Sequence, residues 1–295
     1  MKVTLDVFSG RENPSFYLGE KDAQSLLERV ANKSVLRDID HQSQLGFSGF
    51  KIEPTSDDQL PEGIPESFYI GKELAAGFSA EGRKHPLLSG SDSSEAFQFL
   101  LSKAGKTVED KVLEYIKTDI SRYEKGPQAM PETAPAEDIE LKNIIAKAPC
   151  IIANTAYNPA FWNTPATQPH NNCYNYAMNF RSNTFAQPGR KTGHMYTSFD
   201  CVNMGNAASS DGCKPTCSGS SKLVALVIWP GVDFHWYRRH SNGFWGHKPG
   251  STAARNWDNS NKIIDGTVRT PANCNRGNYT IFCGYRFSPT GMQVS

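Results

Sequence analysis

The first 149 residues contain no cysteine; all seven cysteines of this 295-residue chain fall after them. No apolar run reaches the ~18 residues that a membrane-spanning helix needs, so no membrane span is expected. The opening Met1-Lys2-Val3-Thr4-Leu5-Asp6-Val7 alternates and then turns polar, so it does not read as a signal peptide. Residues 1–124 carry no nucleotide-binding glycine motif and no clustered histidines or acids. Asp57-Asp58 and Glu62 read as a solvated acidic face. Beside Cys213-Lys-Pro-Thr-Cys217 there is no second closely spaced Cys/His pair, which leaves structural zinc a minor reading. No metal and no cofactor are therefore expected. A nucleic-acid partner is disfavoured too, because no recognition motif accompanies the chain's basic part.

What is present is uneven. Net charge is +1, but from residue 145 onward there are 14 Lys and Arg against 5 Asp and Glu, leaving 17 against 25 before it. The C-terminal half should favour anionic partners and the N-terminal half repel them. The length suggests two domains. Residues 1–124 read as a small acidic α+β domain: strands at 2–8, 15–18, 47–52 and 67–70, and helices at 20–31, 92–105 and 108–123. Residues 125–149 read as a Pro-rich linker, and 150–295 as a basic, cysteine-rich domain. Opposite charge favours docking of the acidic domain on the basic face, where it would cap the site and limit access to Cys173. The alternative is a partner-binding domain that leaves the site open.

In the second half, residues 154–172 read as irregular and 202–221 as a Gly/Ser/Asn-rich surface loop. Leu223 to Trp229 is a continuous apolar run, a buried strand. Asp233 to His240, Phe244 to Lys248 and Tyr279 to Phe287 follow as strands, with Asn242-Gly243 a hairpin signal. Seven cysteines are an odd number, so six pair and one stays free. Disulfides place the protein outside the cell, with a cytoplasmic location the alternative.

The chain is organised around His170-Asn171-Asn172-Cys173-Tyr174-Asn175-Tyr176-Ala177-Met178. Tyr174, Ala177 and Met178 share one helical face, and Asn171 and Asn172 are good N-cap residues. Cys173 then lies in a first helical turn, where free N–H groups lower a thiol's pKa. It is the expected free thiol. A nucleophilic cysteine needs a base. His235 lies before the hairpin turn and His247 after it, so they can be diagonal neighbours on adjacent strands if a bulge or three-residue loop puts them on one face. His235 could take the proton of Cys173, with His247, or alternatively Asp258, orienting its ring.

This order and spacing resemble the NlpC and CHAP branch of the papain-like thiol hydrolases, over about residues 150–290. The resemblance implies a Cys-bearing helix packed on an antiparallel sheet, within an overall α+β chain. It also implies amide cleavage through an acyl-enzyme, with peptide or a peptidoglycan-like, possibly anionic, polymer as substrate. The Asn-Asn-Cys-Tyr-Asn-Tyr-Ala motif departs from the Asp/Gly-Cys start usual in that family. Gln168 and Tyr157 are candidate oxyanion donors, and Arg190, Lys191 and Trp236 candidate substrate contacts, with Arg238, Arg239 and Lys248 nearby. The alternative function is a secreted, disulfide-stabilised binding module. It would recognise glycan or protein through Trp162, Trp236, Trp245 and Trp257.

Overall fold

A computed structural model describes residues 1–30, 36–37, 45–56, 58–60, 67–71, 90–105, 107–124, 138–147 and 149–295. Asp57, Glu62 and the Pro-rich stretch 125–137 lie outside the described residues. The architecture is α+β, as expected, and divides into two compact units.

The first unit comprises Met1–Val7, Asn13–Ser43 and Phe47–Pro131. Its strands are β1 (Lys2–Asp6), β2 (Ser15–Tyr17), β3 (Leu36–Arg37), β4 (Gly49–Glu53) and β5 (Phe68–Gly71), ordered β2-β1-β4-β5-β3 with antiparallel pairing throughout. Alternation in β1 buries Val3 and Leu5. Helix α1 (Glu20–Val30) buries Ala23, Leu26, Leu27 and Val30. Helices α2 (Gly90–Ala104) and α3 (Asp110–Glu124) follow among its described residues. Phe47, Phe50 and Phe97 pack edge-on at its centre.

The second unit comprises Phe8–Glu12, Gln44–Gly46 and Glu132–Ser295. Two short pieces of the N-terminal half therefore pack as part of it, which contiguous halves did not anticipate. Its sheet runs β10 (Ile281–Pro289), β7 (Ser220–Trp229), β8 (Asp233–Arg239), β9 (Trp245–His247), with the short β6 (Ile151–Ile152) parallel to the start of β7. β7 is buried along almost its whole length, so it reads as an apolar run rather than an alternation. One face, with Val224, Leu226, Ile228, Phe234 and Trp236, is covered by helix α5 (Cys173–Met178) and by α6 (Cys201–Asp211).

Two expectations are corrected here. Residues 139–147, assigned to the linker, form helix α4 (Ile139–Lys147). Asp138 caps it, accepting from Leu141 N at 2.8 Å. Its other oxygen holds Thr270 and Tyr285 of the sheet domain. The expected surface loop at 202–221 is largely helix α6, capped by Asp200 and ended by Gly212 at φ 113°. Its small residues signalled a loop. They serve instead to let the helix approach closely: a Cβ on Gly205 would lie 2.9 Å from the Arg286 guanidinium.

Candidate functional site

Cys173 opens a helix of six residues. Asn172 caps it, its side chain accepting from Tyr174 N and Asn175 N at 3.0 and 3.1 Å, and Asn175 Oδ1 accepts from Asn172 N at 3.1 Å. Asn179 ends it in the left-handed region, φ 57°. The asparagines of the motif are thus scaffold. Asn171 Nδ2 donates to Thr167 O and Asn183 Oδ1; Asn175 Nδ2 donates to Phe180 O and Ser182 Oγ. Buried Lys248 donates to the carbonyls of Gln168, Asn171 and Gly250, pinning the approach to the helix.

His235 and His247 meet as the hairpin register requires. Tyr237 pairs with His247, so His235 lies diagonal to it on the same face. His235 Nε2 and His247 Nδ1 are 2.9 Å apart, and His247 Nε2 is 2.9 Å from Trp257 O. Arg255 Nε–H also points at His247 Nε2, at 3.3 Å, so that nitrogen meets both an acceptor and a donor. His235 Nδ1 is hydrogen-bonded to the Ser9 hydroxyl. Both rings are held neutral: burial, then the neighbouring ring and the Arg255 cation, push His235 well below the usual histidine range. Burial and Arg255 do the same to His247, against the Trp257 carbonyl.

The thiol departs from expectation. Cys173 is fully buried, and burial raises its pKa, helped by the nearby Asp233 carboxylate. The hydrogen-bonding Ser9 hydroxyl and Trp236 backbone, and the Lys248 charge, pull the other way but do not offset desolvation. The dipole of so short a helix does not win against burial. Cys173 Sγ lies 4.0 Å from Phe234 O. Within the sheet, β9 pairs only with Tyr237–Arg239 of β8, and the thiol sits beside the earlier part of that strand. The Ser9 hydroxyl is hydrogen-bonded to His235 Nδ1 and is also a hydrogen-bond partner of the thiol.

Other expected site residues lie elsewhere. Asp258 does not orient His235: its carboxylate is 3.0 Å from Arg269 Nη1 and accepts from Ser260, Lys262 and Asn275 N–H groups, closing a loop. Tyr157 packs edge-on to His240 at 5.2 Å, and Gln168 meets Lys248 through its carbonyl. Trp236 is buried against Tyr174, because alternation turns it to the face opposite His235. Arg190 donates to Thr184 O and Lys191 to Gln293 Oε1. Arg238 is buried over the Tyr176 ring, so it and Lys248 are no basic surface. Trp162 and Trp245 are core residues as well, so of the four tryptophans expected on an aromatic surface only Trp257 is partly exposed.

Residues that sequence reasoning missed are Ser9, Gly10, Gln187, Asp233 and Tyr279. Ser9-Gly10 read only as a turn, and its partners lie more than 160 residues away. Asp233 Oδ2 accepts from Ser9 N at 2.7 Å, Gly10 N at 3.2 Å and Tyr279 OH at 2.6 Å; Oδ1 accepts from Arg11 N at 3.0 Å. Burial nevertheless pushes Asp233 above the usual carboxylate range.

Two disulfides form, Cys150–Cys217 and Cys201–Cys283. Cys173, Cys213 and Cys274 are free and buried, so one more pair was expected than exists. Burial pushes Cys213 and Cys274 up to about 12. Cys217 is consumed by its disulfide, which removes the Cys213/Cys217 zinc reading. Among the described residues no group of three or more His, Cys, Asp or Glu is placed to hold a metal ion, and no helix is long and apolar enough to cross a membrane.

An α+β, disulfide-bonded chain with a buried His235–His247 pair and a buried thiol joined to it through Ser9 is what fold and site define. The chain is 43% identical over 138 residues to Insoluble matrix shell protein 1 of Ruditapes philippinarum, an alignment spanning 45% of this chain and 90% of that protein. It belongs to the family of that shell matrix protein. No family model matches the chain, and no solved structure matches it.

Proposed function

We propose that this chain is an extracellular, disulfide-stabilised matrix module that binds polymeric glycan or protein. The observation that carries this reading is the 43% identity to a protein named for an insoluble shell matrix. Two disulfides fit an oxidising compartment. The buried, protonated thiol of Cys173 fits a chain that binds rather than turns over. The test is co-sedimentation of the purified chain with chitin, cellulose and collagen particles. Retention on one of them, lost on reduction, is expected. A chain that stays in the supernatant with all three refutes the reading.

A second reading is favoured by one specific geometry. His247 Nδ1 holds His235 Nε2 at 2.9 Å, and the Ser9 hydroxyl stands between His235 Nδ1 and the Cys173 thiol. With Ser9 displaced, the order Cys173, His235, His247 would resemble that of a thiol hydrolase. Cys173 would pass its proton to His235 and attack an amide carbon. The imidazolium would protonate the departing amine, and water would then hydrolyse the thioester. Peptide or peptidoglycan-like amides are the substrate class implied by resemblance. Release of amine from peptidoglycan by the wild type, abolished in Cys173→Ala and His235→Ala, supports it. Equal release by wild type and Cys173→Ala excludes it.

A further inference from the structure

The segment Phe8–Glu12 is held in an unusual way. Loops normally satisfy their backbone groups through local turns or sheet ladders. Here four polar groups of three consecutive residues are read by side chains distant in sequence. Asp233 accepts from the N–H groups of Ser9, Gly10 and Arg11. The Gly10 carbonyl accepts from Asn172 Nδ2 at 2.7 Å and Gln187 Nε2 at 2.9 Å. Both amides are fixed from behind. Asn172 also donates to Ala186 O at 2.7 Å, and Tyr196 OH donates to Gln187 Oε1 at 2.7 Å. The Ser9 hydroxyl is hydrogen-bonded to His235 Nδ1, and Gly250 N lies 3.4 Å from Ser9 Oγ.

The pattern also specifies residue size. A Cβ on Gly10 would fall 2.5–2.6 Å from three carbons of the Phe234 ring, so only glycine fits there. Phe234 is fully buried and packs on Tyr196, leaving its ring little freedom to move aside. The preceding position must carry a hydroxyl short enough to reach His235.

We propose that Asp233, Asn172, Gln187 and His235 form a recognition site for a Ser-Gly peptide segment. In this structure the occupant is the chain's own Ser9-Gly10-Arg11, and its seating keeps Cys173 latent. The cleft lies within the second unit, since residues 8–12 pack as part of it. The ligand class is an extended peptide with glycine at the centre and a hydroxyl residue before it. The proposal holds whether the site only binds or also turns over, because it concerns occupancy.

The experiment follows the three free thiols of the full-length chain by maleimide labelling and mass mapping. Cys213 and Cys274 serve as internal reporters of general loosening. Gly10→Leu drives the segment off the Phe234 ring, and labelling of Cys173 alone should accelerate at least ~100-fold. A synthetic peptide of residues 6–14, added in trans, should restore protection, and the same peptide with alanine at the glycine position should not. If Gly10→Leu exposes all three thiols, it has disturbed the fold. Asp233→Asn, which is isosteric but presents a donor where donors point, then provides the decision. Selective acceleration at Cys173 in that variant sustains the proposal. Unchanged labelling in a folded Gly10→Leu protein overturns it. So does uniform acceleration in both variants, or equal protection by both peptides.

Discussion

Removing the Cys201–Cys283 bond should cost the second unit about 4 kcal/mol. The bond joins residues 82 apart in sequence. Restricting the unfolded chain by a loop of that size removes roughly 15 cal/mol/K of entropy, or about 4.5 kcal/mol at room temperature. Cys150–Cys217, closing 67 residues, comes out close to the same figure. The two loops overlap over 201–217, so losing both costs less than the sum of the two. Cys201 and Cys283 are only half-buried beside the core, so replacing both by alanine adds little packing loss. All five tryptophans, at positions 162, 229, 236, 245 and 257, lie in the second unit, so their fluorescence follows that unit alone. With a urea slope of about 2 kcal/mol per M, the double alanine variant should unfold about 2 M earlier. Reduction of the wild type should reproduce the shift and add the contribution of the other bond. A loss of about 4 kcal/mol is a large part of the 5–15 kcal/mol that domains possess, so the unit would be marginal in a reducing compartment. A midpoint shift below about 0.5 M would mean that the pair is not formed, or that the unfolded chain is already restricted there, and the compartment argument would fall.

In the native protein none of the three free thiols should react rapidly with an aromatic disulfide reagent, and three should react in denaturant; five or seven would contradict the pairing. His240, shifted to about 4 by burial and the Arg238 charge, is a base whose folded pKa is depressed. The stability linked to it is present above the ordinary histidine pKa and lost as pH falls from about 6.5 towards 4, on the order of 3 kcal/mol, with His235 and His247 adding in the same direction. Urea midpoints across that range should fall with acid, and a His240→Asn variant should show a shallower slope. Asp233 has the opposite linkage: its raised pKa means that its charge costs stability as pH rises through its folded value, so pH-dependent unfolding of Asp233→Asn should lack that term. Trp236→Ala should cost about 3–5 kcal/mol as a core truncation. A loss below 1 kcal/mol would return Trp236 to the surface role first expected for it.

Local chemistry determined much of this protein. The sequence pattern placed strands over 2–8, 223–229 and 233–240 and a helix over 20–31, within a few residues of those observed, because each buries one face or one run. The Asn-Asn-Cys signature placed a capped helix start, and hairpin counting put His235 beside His247. Where composition and packing disagree, packing prevailed. Cys201–Asp211 is glycine-, serine- and asparagine-rich, yet it is helical because small residues let it lie against Arg286 and the sheet. Trp236 looked like a ligand contact beside His235, but the two-residue period of a strand turns neighbours to opposite faces. The state of the thiol was set by tertiary structure alone. A helix start predicts a lowered pKa, whereas burial, which no local motif encodes, raises it. The Ser9-Gly10-Arg11 seat was equally illegible. A turn sequence carries no sign of a carboxylate 224 residues away that collects its N–H groups, or of a phenylalanine ring that excludes every side chain at Gly10.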